Sequence, residues 1–408
     1  MVNAIHQYKN DRDPHELIFA FKKRALVHFA VDSDTVFMTT QLAGHKSYFL
    51  PFNLGHNNGS GNPPASDGGY KTAYLWREVL QRDSLLDILG RFVHLQETEK
   101  KIATVSGIKT ERKQSMIFPR YHQLDVVRQL VSDTQHKGAG HNYLIQHSAG
   151  SGKSNSIAWL AHRLSVLHDE QDQKIYDSVI VVTDRRVLDS QLQKTIYQFE
   201  HKQGVVQKID EDTRQLVQAL ASNTPIIITT QQKFPFVLES LEKINKDRET
   251  LSQLAITTQG KRFAVIVDEA HSSQSGETVA DLKYVLNKHG IEEEAAQRYQ
   301  VDPQDSVDVI EASLKHGKQP NLSFFAFTAT PKYKTEKLFN EVGKTGKPHF
   351  HLYAMRQAIE EGFIFDVLKN YTHYAAYAKL VQTCEDDPNV KRKRTAKELA
   401  RFVTALIL

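Results

Sequence analysis

Apolar positions along the chain follow two different rhythms. Between Ala25 and Phe52 they fall into short runs, Leu26–Val31, Thr35–Thr39 and Tyr48–Leu50, separated by turn-formers such as Asp32-Ser33-Asp34 and Gly44. That spacing predicts a small antiparallel sheet. Asn53 to Gly69 is crowded with Asn, Gly, Pro and Ser and predicts a long loop. Leu75–Leu80 and Ser84–Leu95 then return to helical spacing, with Leu85, Ile88, Leu89 and Phe92 on one face. The charged stretch Glu97–Lys113, which shows no strand pattern, marks the expected end of a first domain, residues 1–110.

The second rhythm begins near Arg120. Continuous apolar runs, Tyr143–Ile145, Val179–Thr183, Ile226–Thr230, Phe263–Asp268 and Phe324–Thr328, alternate with longer helical patterns. Runs without polar alternation describe strands covered on both faces, so an α/β fold with a parallel sheet flanked by helices is expected over residues 111–345. Such sheets carry ligands at the carboxyl ends of their strands. After Gly346 the signal weakens, and Ala405-Leu406-Ile407-Leu408 falls within a helical pattern, so residues 346–408 are expected to be the start of a truncated further domain.

Composition narrows the class. A length of 408 residues suits two or three domains, and 40% apolar with 25% charged residues is the balance of a globular chain, not a disordered one. The single cysteine, Cys384, rules out an intrachain disulfide framework and a multi-cysteine zinc site, and suits a reducing compartment. A net charge of +4 permits a nucleic-acid partner without requiring one. No apolar run approaches the roughly 18–20 residues that span a bilayer, and a cytoplasmic protein without a membrane partner is expected.

The chemistry collects at the ends of the apolar runs. His147-Ser148-Ala149-Gly150-Ser151-Gly152-Lys153-Ser154 follows a strand and opens an amphipathic helix carrying Ile157, Leu160, Ala161 and Leu164. This is the context of a phosphate-binding loop, although His147 stands where the generic pattern has its first glycine. Gly150, Ser151 and Gly152 would bring backbone N–H groups around a phosphate, Lys153 would reach the β- and γ-phosphates of ATP, and Ser154 would hold Mg²⁺. Asp268-Glu269-Ala270-His271 ends another strand. An isolated acidic pair would be read as a helix cap, but with Lys153 in the same sheet Asp268 is assigned to Mg²⁺ and Glu269 to the attacking water. Thr328-Ala329-Thr330-Pro331 ends a further strand, and its two hydroxyls, with His271, are candidates for relaying nucleotide state. Thr183, Arg185, Thr230 and Gln231, at two more strand ends, are candidate phosphate contacts for DNA. Arg185 and Arg186 read equally well as solvated charge, and the basic run Lys391–Arg394 reads better as an exposed linker.

In their order, these motifs resemble the first RecA-like domain of a superfamily 2 helicase or translocase of the DEAH-box type. Pro119-Arg120-Tyr121-His122-Gln123 is similar to the glutamine motif of that superfamily, which implies that Gln123 reads adenine. Four further segments, Glu16–Phe19, Tyr48–Asn53 with the Asn/Gly loop, Tyr74–Leu86 and Met355–Ile364, resemble the restriction (R) subunit of type I restriction-modification enzymes. The resemblance spans essentially the whole chain. It implies ATP and Mg²⁺ as cofactors, duplex DNA and the modification and specificity subunits as partners, and ATP-driven translocation coupled to cleavage of unmethylated DNA. Residues 1–110 would be the last part of the nuclease domain, whose metal-binding carboxylates lie upstream in the family. Glu99-Lys100-Lys101 and Glu111-Arg112-Lys113 do not replace them. The family's arginine finger would lie beyond residue 408, so the isolated chain is expected to bind nucleotide and turn it over weakly. A free-standing superfamily 2 motor and a nucleotide-binding, non-catalytic fragment are the alternatives.

Overall fold

The structure, a computed structural model, describes residues 1–104, 107–183, 186–199, 204–209, 213–230, 260–271, 286, 319–339 and 349–366. Two compact units are present, Met1–Ala358 and Ile359–Leu408.

The first unit opens with α1 (Val2–His6) and a three-stranded antiparallel sheet of β1 (His28–Val31), β2 (Val36–Thr39) and β3 (Leu50–Pro51), in the order β1-β2-β3. The expected loop follows, and two buried asparagines fasten it. Asn53 Oδ1 accepts the Val36 N–H at 2.9 Å; Asn62 Oδ1 accepts the Leu54 N–H, and its Nδ2 donates to the Asp34 carbonyl and to Asn53 Oδ1, each at 2.9 Å. Side-chain amides thus replace the backbone partners that an irregular segment lacks. Gly55 sits at φ +88°, and a Cβ there would lie 2.7 Å from the Gln357 amide, so two of the family-like segments meet at a contact only glycine permits.

A π-helical turn at Leu75–Val79 leads into α2 (Arg82–Arg91). Ile88 and Phe92 are buried as their spacing predicts, whereas Leu85 is half-buried and Leu89 exposed. Beside them Asp87 gathers three arginines: Arg163 at 2.6 Å, Arg91 at 3.0 Å and Arg128 at 3.0 Å. Burial alone would raise the Asp87 pKa, but the Arg163 charge and hydrogen bond, joined by Arg128, hold it below the ordinary carboxylate value. Replacing Asp87 with alanine leaves these guanidinium groups without their counter-charge. It is expected to cost about 2–3 kcal/mol, less than for a fully buried pair because some solvent reaches the site. Thermal unfolding of Asp87→Ala at neutral pH checks this. Because the folded-state pKa is depressed, the contribution is complete above the unfolded carboxylate pKa and is lost as pH falls through the folded one. The gap between native and variant should therefore close in acid.

The charged stretch Glu97–Lys113 corrects the sequence reading. It forms a hairpin of β4 (His94–Thr104) and β5 (Gly107–Ile117), antiparallel with Glu99 opposite Arg112. Glu99–Lys101 and Glu111–Lys113 therefore both lie on strands. The pairing was not legible because strand patterns are read from apolar alternation, which this stretch lacks.

The large sheet is parallel throughout, in the order β12-β6-β11-β10-β7-β9-β8. Its strands are β6 (Asn142–His147), β7 (Ser178–Thr183), β8 (Val206–Lys208), β9 (Ile226–Thr230), β10 (Phe263–Val267), β11 (Leu322–Thr328) and β12 (His351–Tyr353). Five of them are the expected apolar runs; the short edge strands β8 and β12 carry no such signature. Alternate residues serve opposite faces. Tyr143, Ile145, Val179, Val181 and Ile266 pack with Leu124 and Val127 of α3 (Tyr121–Lys137), Ile157 and Trp159 of α4 (Lys153–Ser165), and Ile196 of α5 (Arg186–Gln198). Leu144, Ile180, Val182 and Val265 pack with Leu216 and Leu220 of α6 (Thr213–Ala221) and with Phe339, just after α7 (Tyr333–Leu338). α8 (Met355–Glu360) follows β12.

Candidate active site

Strand order places the chemistry. β11 lies between β6 and β10, so Thr328 at its end stands between the loop that follows β6 and the acidic residues that follow β10. The loop reverses through two left-handed glycines, Gly150 at φ +70° and Gly152 at φ +74°, the latter immediately before α4. A Cβ on Gly152 would lie 2.6 Å from Gln123 Nε2 and 3.0 Å from an Arg120 guanidinium nitrogen, so both the backbone angle and the packing require glycine.

The first turn of α3 holds the loop by its carbonyls. Arg120 donates to the Gly150 carbonyl at 2.9 Å, His122 Nε2 to that of Ser151 at 2.9 Å, and Gln123 Nε2 to those of Ser151 and Gly152 at 3.2 and 3.0 Å. In a trans peptide the N–H points away from the carbonyl. Pinning the Ser151 and Gly152 oxygens against α3 therefore turns the N–H groups of Gly152 and Lys153 to the other side, where the start of α4 adds its positive dipole end. Burial holds His122 neutral, its pKa well below the ordinary value, with the Arg120 charge adding to the effect. Gln123 is buried and its Oε1 accepts the Arg120 N–H at 2.9 Å, so its amide supports the loop. It also lines a cavity of about 360 Å³ beside Gly152 and Asn155, walled by Phe118, Met116 and Leu50.

Lys153 Nζ lies 3.3 Å from Glu269 Oε1, with both side chains largely shielded. Asp268 is buried, and its Oδ1 accepts the Glu269 N–H at 3.0 Å. Glu269 itself takes φ +51°, a left-handed conformation that costs a non-glycine residue about 1 kcal/mol or more and collects at functional sites. His271 Nδ1 stands 3.2 Å from Glu269 Oε2 and 2.9 Å from Thr328 Oγ1, and the Thr330 N–H donates to the same Thr328 hydroxyl at 3.3 Å. Close polar contacts thus link Lys153, Glu269, His271, Thr328 and Thr330, with Glu269 Oε2 in ion-pair range of His271 but not hydrogen-bonded to it.

Ser154 falls in the first turn of α4. With Asp268 it offers hydroxyl and carboxylate oxygens, the donor set that suits Mg²⁺. No cluster of three or more metal-binding side chains occurs among the described residues. Mg²⁺ held by one carboxylate together with substrate phosphates needs none. Thr183 and Thr230 are register partners at the ends of β7 and β9, and both are buried. Arg185 and Gln231 lie outside the described residues. The loop clamp by Arg120 and His122 was missed in the sequence. Its only signal was the proximity of both residues to Gln123 in the glutamine-like motif.

Residues 122–398 match the family model for the SWI2/SNF2 ATPase. Among characterised proteins, the chain is 27% identical over 339 residues to the type I restriction enzyme HindI endonuclease subunit of Haemophilus influenzae, a match covering 80% of this chain and 28% of that protein. It is 24% identical over 292 residues to the type I restriction enzyme SauCOLORF180P endonuclease subunit of Staphylococcus aureus, covering 70% and 24%. The chain thus spans about a quarter of the length of these relatives. Among solved structures it is similar to a fragment described as an HsdR subunit of a type I restriction enzyme from Vibrio vulnificus YJ016, with TM-score 0.33, 14% identity and coverage of 86% and 47%. It is also similar to the UvsW helicase from bacteriophage T4, with TM-score 0.27, 14% identity and coverage of 61% and 68%.

Proposed function

Because the chain belongs to the SWI2/SNF2 ATPase family, we propose that it is the ATP-driven motor portion of a type I restriction enzyme R subunit, moving on duplex DNA in a cytoplasmic complex with modification and specificity subunits. The observation that carries the reading is the set of close contacts from Lys153 through Glu269 and His271 to Thr328, which joins three strand ends of one sheet. The relatives support the restriction assignment over a free-standing motor, since a match covering 80% of the chain must reach upstream of residue 122, where the motor family begins.

In this reading the N–H groups of the loop and Lys153 bind the phosphates. The cavity beside Gly152 receives the base, with Gln123 on its wall. Ser154 and Asp268 would hold Mg²⁺, which when bound neutralises charge on the β- and γ-phosphates. Glu269 accepts a proton from the attacking water, and His271 passes the change at Glu269 to Thr328 and Thr330. DNA runs past the ends of β7 and β9, where Arg185 and Gln231 follow the buried Thr183 and Thr230 in sequence and are the residues proposed to contact it.

The test is ATP turnover with and without linear duplex DNA. Duplex DNA is expected to raise the rate severalfold over the DNA-free rate, however low that rate is in absolute terms. A rate unmoved by duplex DNA would remove the translocase reading and leave a DNA-independent nucleotide site.

A further inference from the structure

His147, the residue standing in place of the generic loop's first glycine, is completely buried at the end of β6. Its Nε2 lies 2.8 Å from Nδ1 of His351 on β12, and His351 Nε2 lies 3.1 Å from Asp125 Oδ2 on α3. The carboxylate orders the chain. Asp125 only accepts when ionised, so a His351 imidazole carrying one proton donates from Nε2 and accepts at Nδ1, and His147 then donates from Nε2 and keeps a bare lone pair on Nδ1. That Nδ1 is buried and has no hydrogen-bond partner among the described residues. Burial keeps His147 neutral, with its pKa well below the ordinary value, and His351, His122, Lys153 and Arg120 add to the effect. Beside the chain, the Tyr353 carbonyl accepts the N–H of Ser148, the next loop residue, at 3.0 Å. The Tyr353 ring stacks on His122, which holds the Ser151 carbonyl, at 3.9 Å between centroids.

We infer that His351 is a positioning residue for nucleotide binding: through His147 it fixes where the phosphate loop leaves β6, using Asp125 as the anchor and tying the loop to β12. The inference rests on the reading of the loop as a phosphate site. It assigns a task to Asp125 on α3, His147 on β6 and His351 on β12.

The experiment compares Mg²⁺-ATP affinity of the chain with that of His351→Gln, His351→Leu and Lys153→Ala. Glutamine can donate at one end and accept at the other, whereas leucine fills a similar volume and does neither. His351→Leu leaves the buried His147 imidazole unpaired and takes one of two partners from Asp125 Oδ2, which keeps Gln129 Nε2 at 2.7 Å; it is expected to weaken binding about tenfold, with His351→Gln within about threefold of native. Equal weakening in both variants, or native affinity in His351→Leu, overturns the role. Lys153-independent binding in the native chain would instead strike down the phosphate-site reading, and the inference with it. Should His351→Leu fail to fold, imidazole ¹⁵N shifts of the native chain decide. His147 must appear as the Nε2–H tautomer, and that preference must weaken in Asp125→Ala. An Nδ1–H tautomer for His147 overturns the chain as drawn.

Discussion

Lys153→Ala is expected to weaken Mg²⁺-ATP binding by about two orders of magnitude or more while leaving the fold intact. Truncating one partner of a shielded, hydrogen-bonded charge pair costs about 2–5 kcal/mol, roughly 30- to 4,000-fold in affinity. Two features place the loss in the upper part of that span. Lys153 is the cation at the mouth of the loop, and its partner in this structure is Glu269 at 3.3 Å. Without the ammonium, that carboxylate faces the incoming phosphates uncompensated. Stability should fall by less than in Asp87→Ala, because Glu269 keeps His271 at 3.2 Å, alanine is an excellent helix former in the first turn of α4, and the apolar face of the helix, Ile157, Leu160, Ala161 and Leu164, is untouched. Titration with a fluorescent ATP analogue, beside a thermal melt, measures both. An affinity within threefold of native, with an unchanged melt, would mean that the loop does not bind phosphate through Lys153.

The parts of this site that were legible in the sequence are those in which chemistry and chain position coincide. Lys153, Asp268, Glu269, His271 and Thr328 each stand at or just after the end of a continuous apolar run, and doubly covered parallel strands present such ends on one side of a sheet. Their lying along one edge of the sheet required only that the runs be parallel strands. What stayed hidden depended on strand order and on partners distant in sequence. Thr328 reaches His271 because β11 lies between β6 and β10, an order that no local pattern encodes. His351 meets His147 across 204 positions, from a three-residue edge strand too short to leave a periodic trace. Gln123 was expected to read adenine, whereas the commitment of its amide to the Ser151 and Gly152 carbonyls appears only once α3 is seated against the loop. The β4–β5 hairpin escaped for a different reason: a two-stranded ribbon held by its backbone ladder needs no apolar face along its length.

Glu269→Gln should separate binding from turnover in the opposite sense to Lys153→Ala. Glutamine keeps the size and the hydrogen-bonding oxygen but cannot take a proton from water, and loss of a positioned general base removes about 10²–10⁴ in rate. Binding should tighten. In the native chain Glu269 Oε1 holds Lys153 and Oε2 lies 3.2 Å from His271, so an arriving triphosphate must draw the lysine away from a full negative charge. Neutralising the carboxylate weakens that competitor, and a gain of about 0.5–1 kcal/mol, or two- to fivefold in affinity, follows for a partly solvent-screened pair. The left-handed backbone at Glu269 penalises glutamine much as it does glutamate, so the substitution should not disturb the turn. Turnover in the presence of duplex DNA, together with the same fluorescent titration, reads both effects. If Glu269→Gln retained turnover within tenfold of native, the proton acceptor would have to be another group. If it bound nucleotide more weakly than native, the Lys153–Glu269 pair would be a support for the site and not a competitor for its ligand.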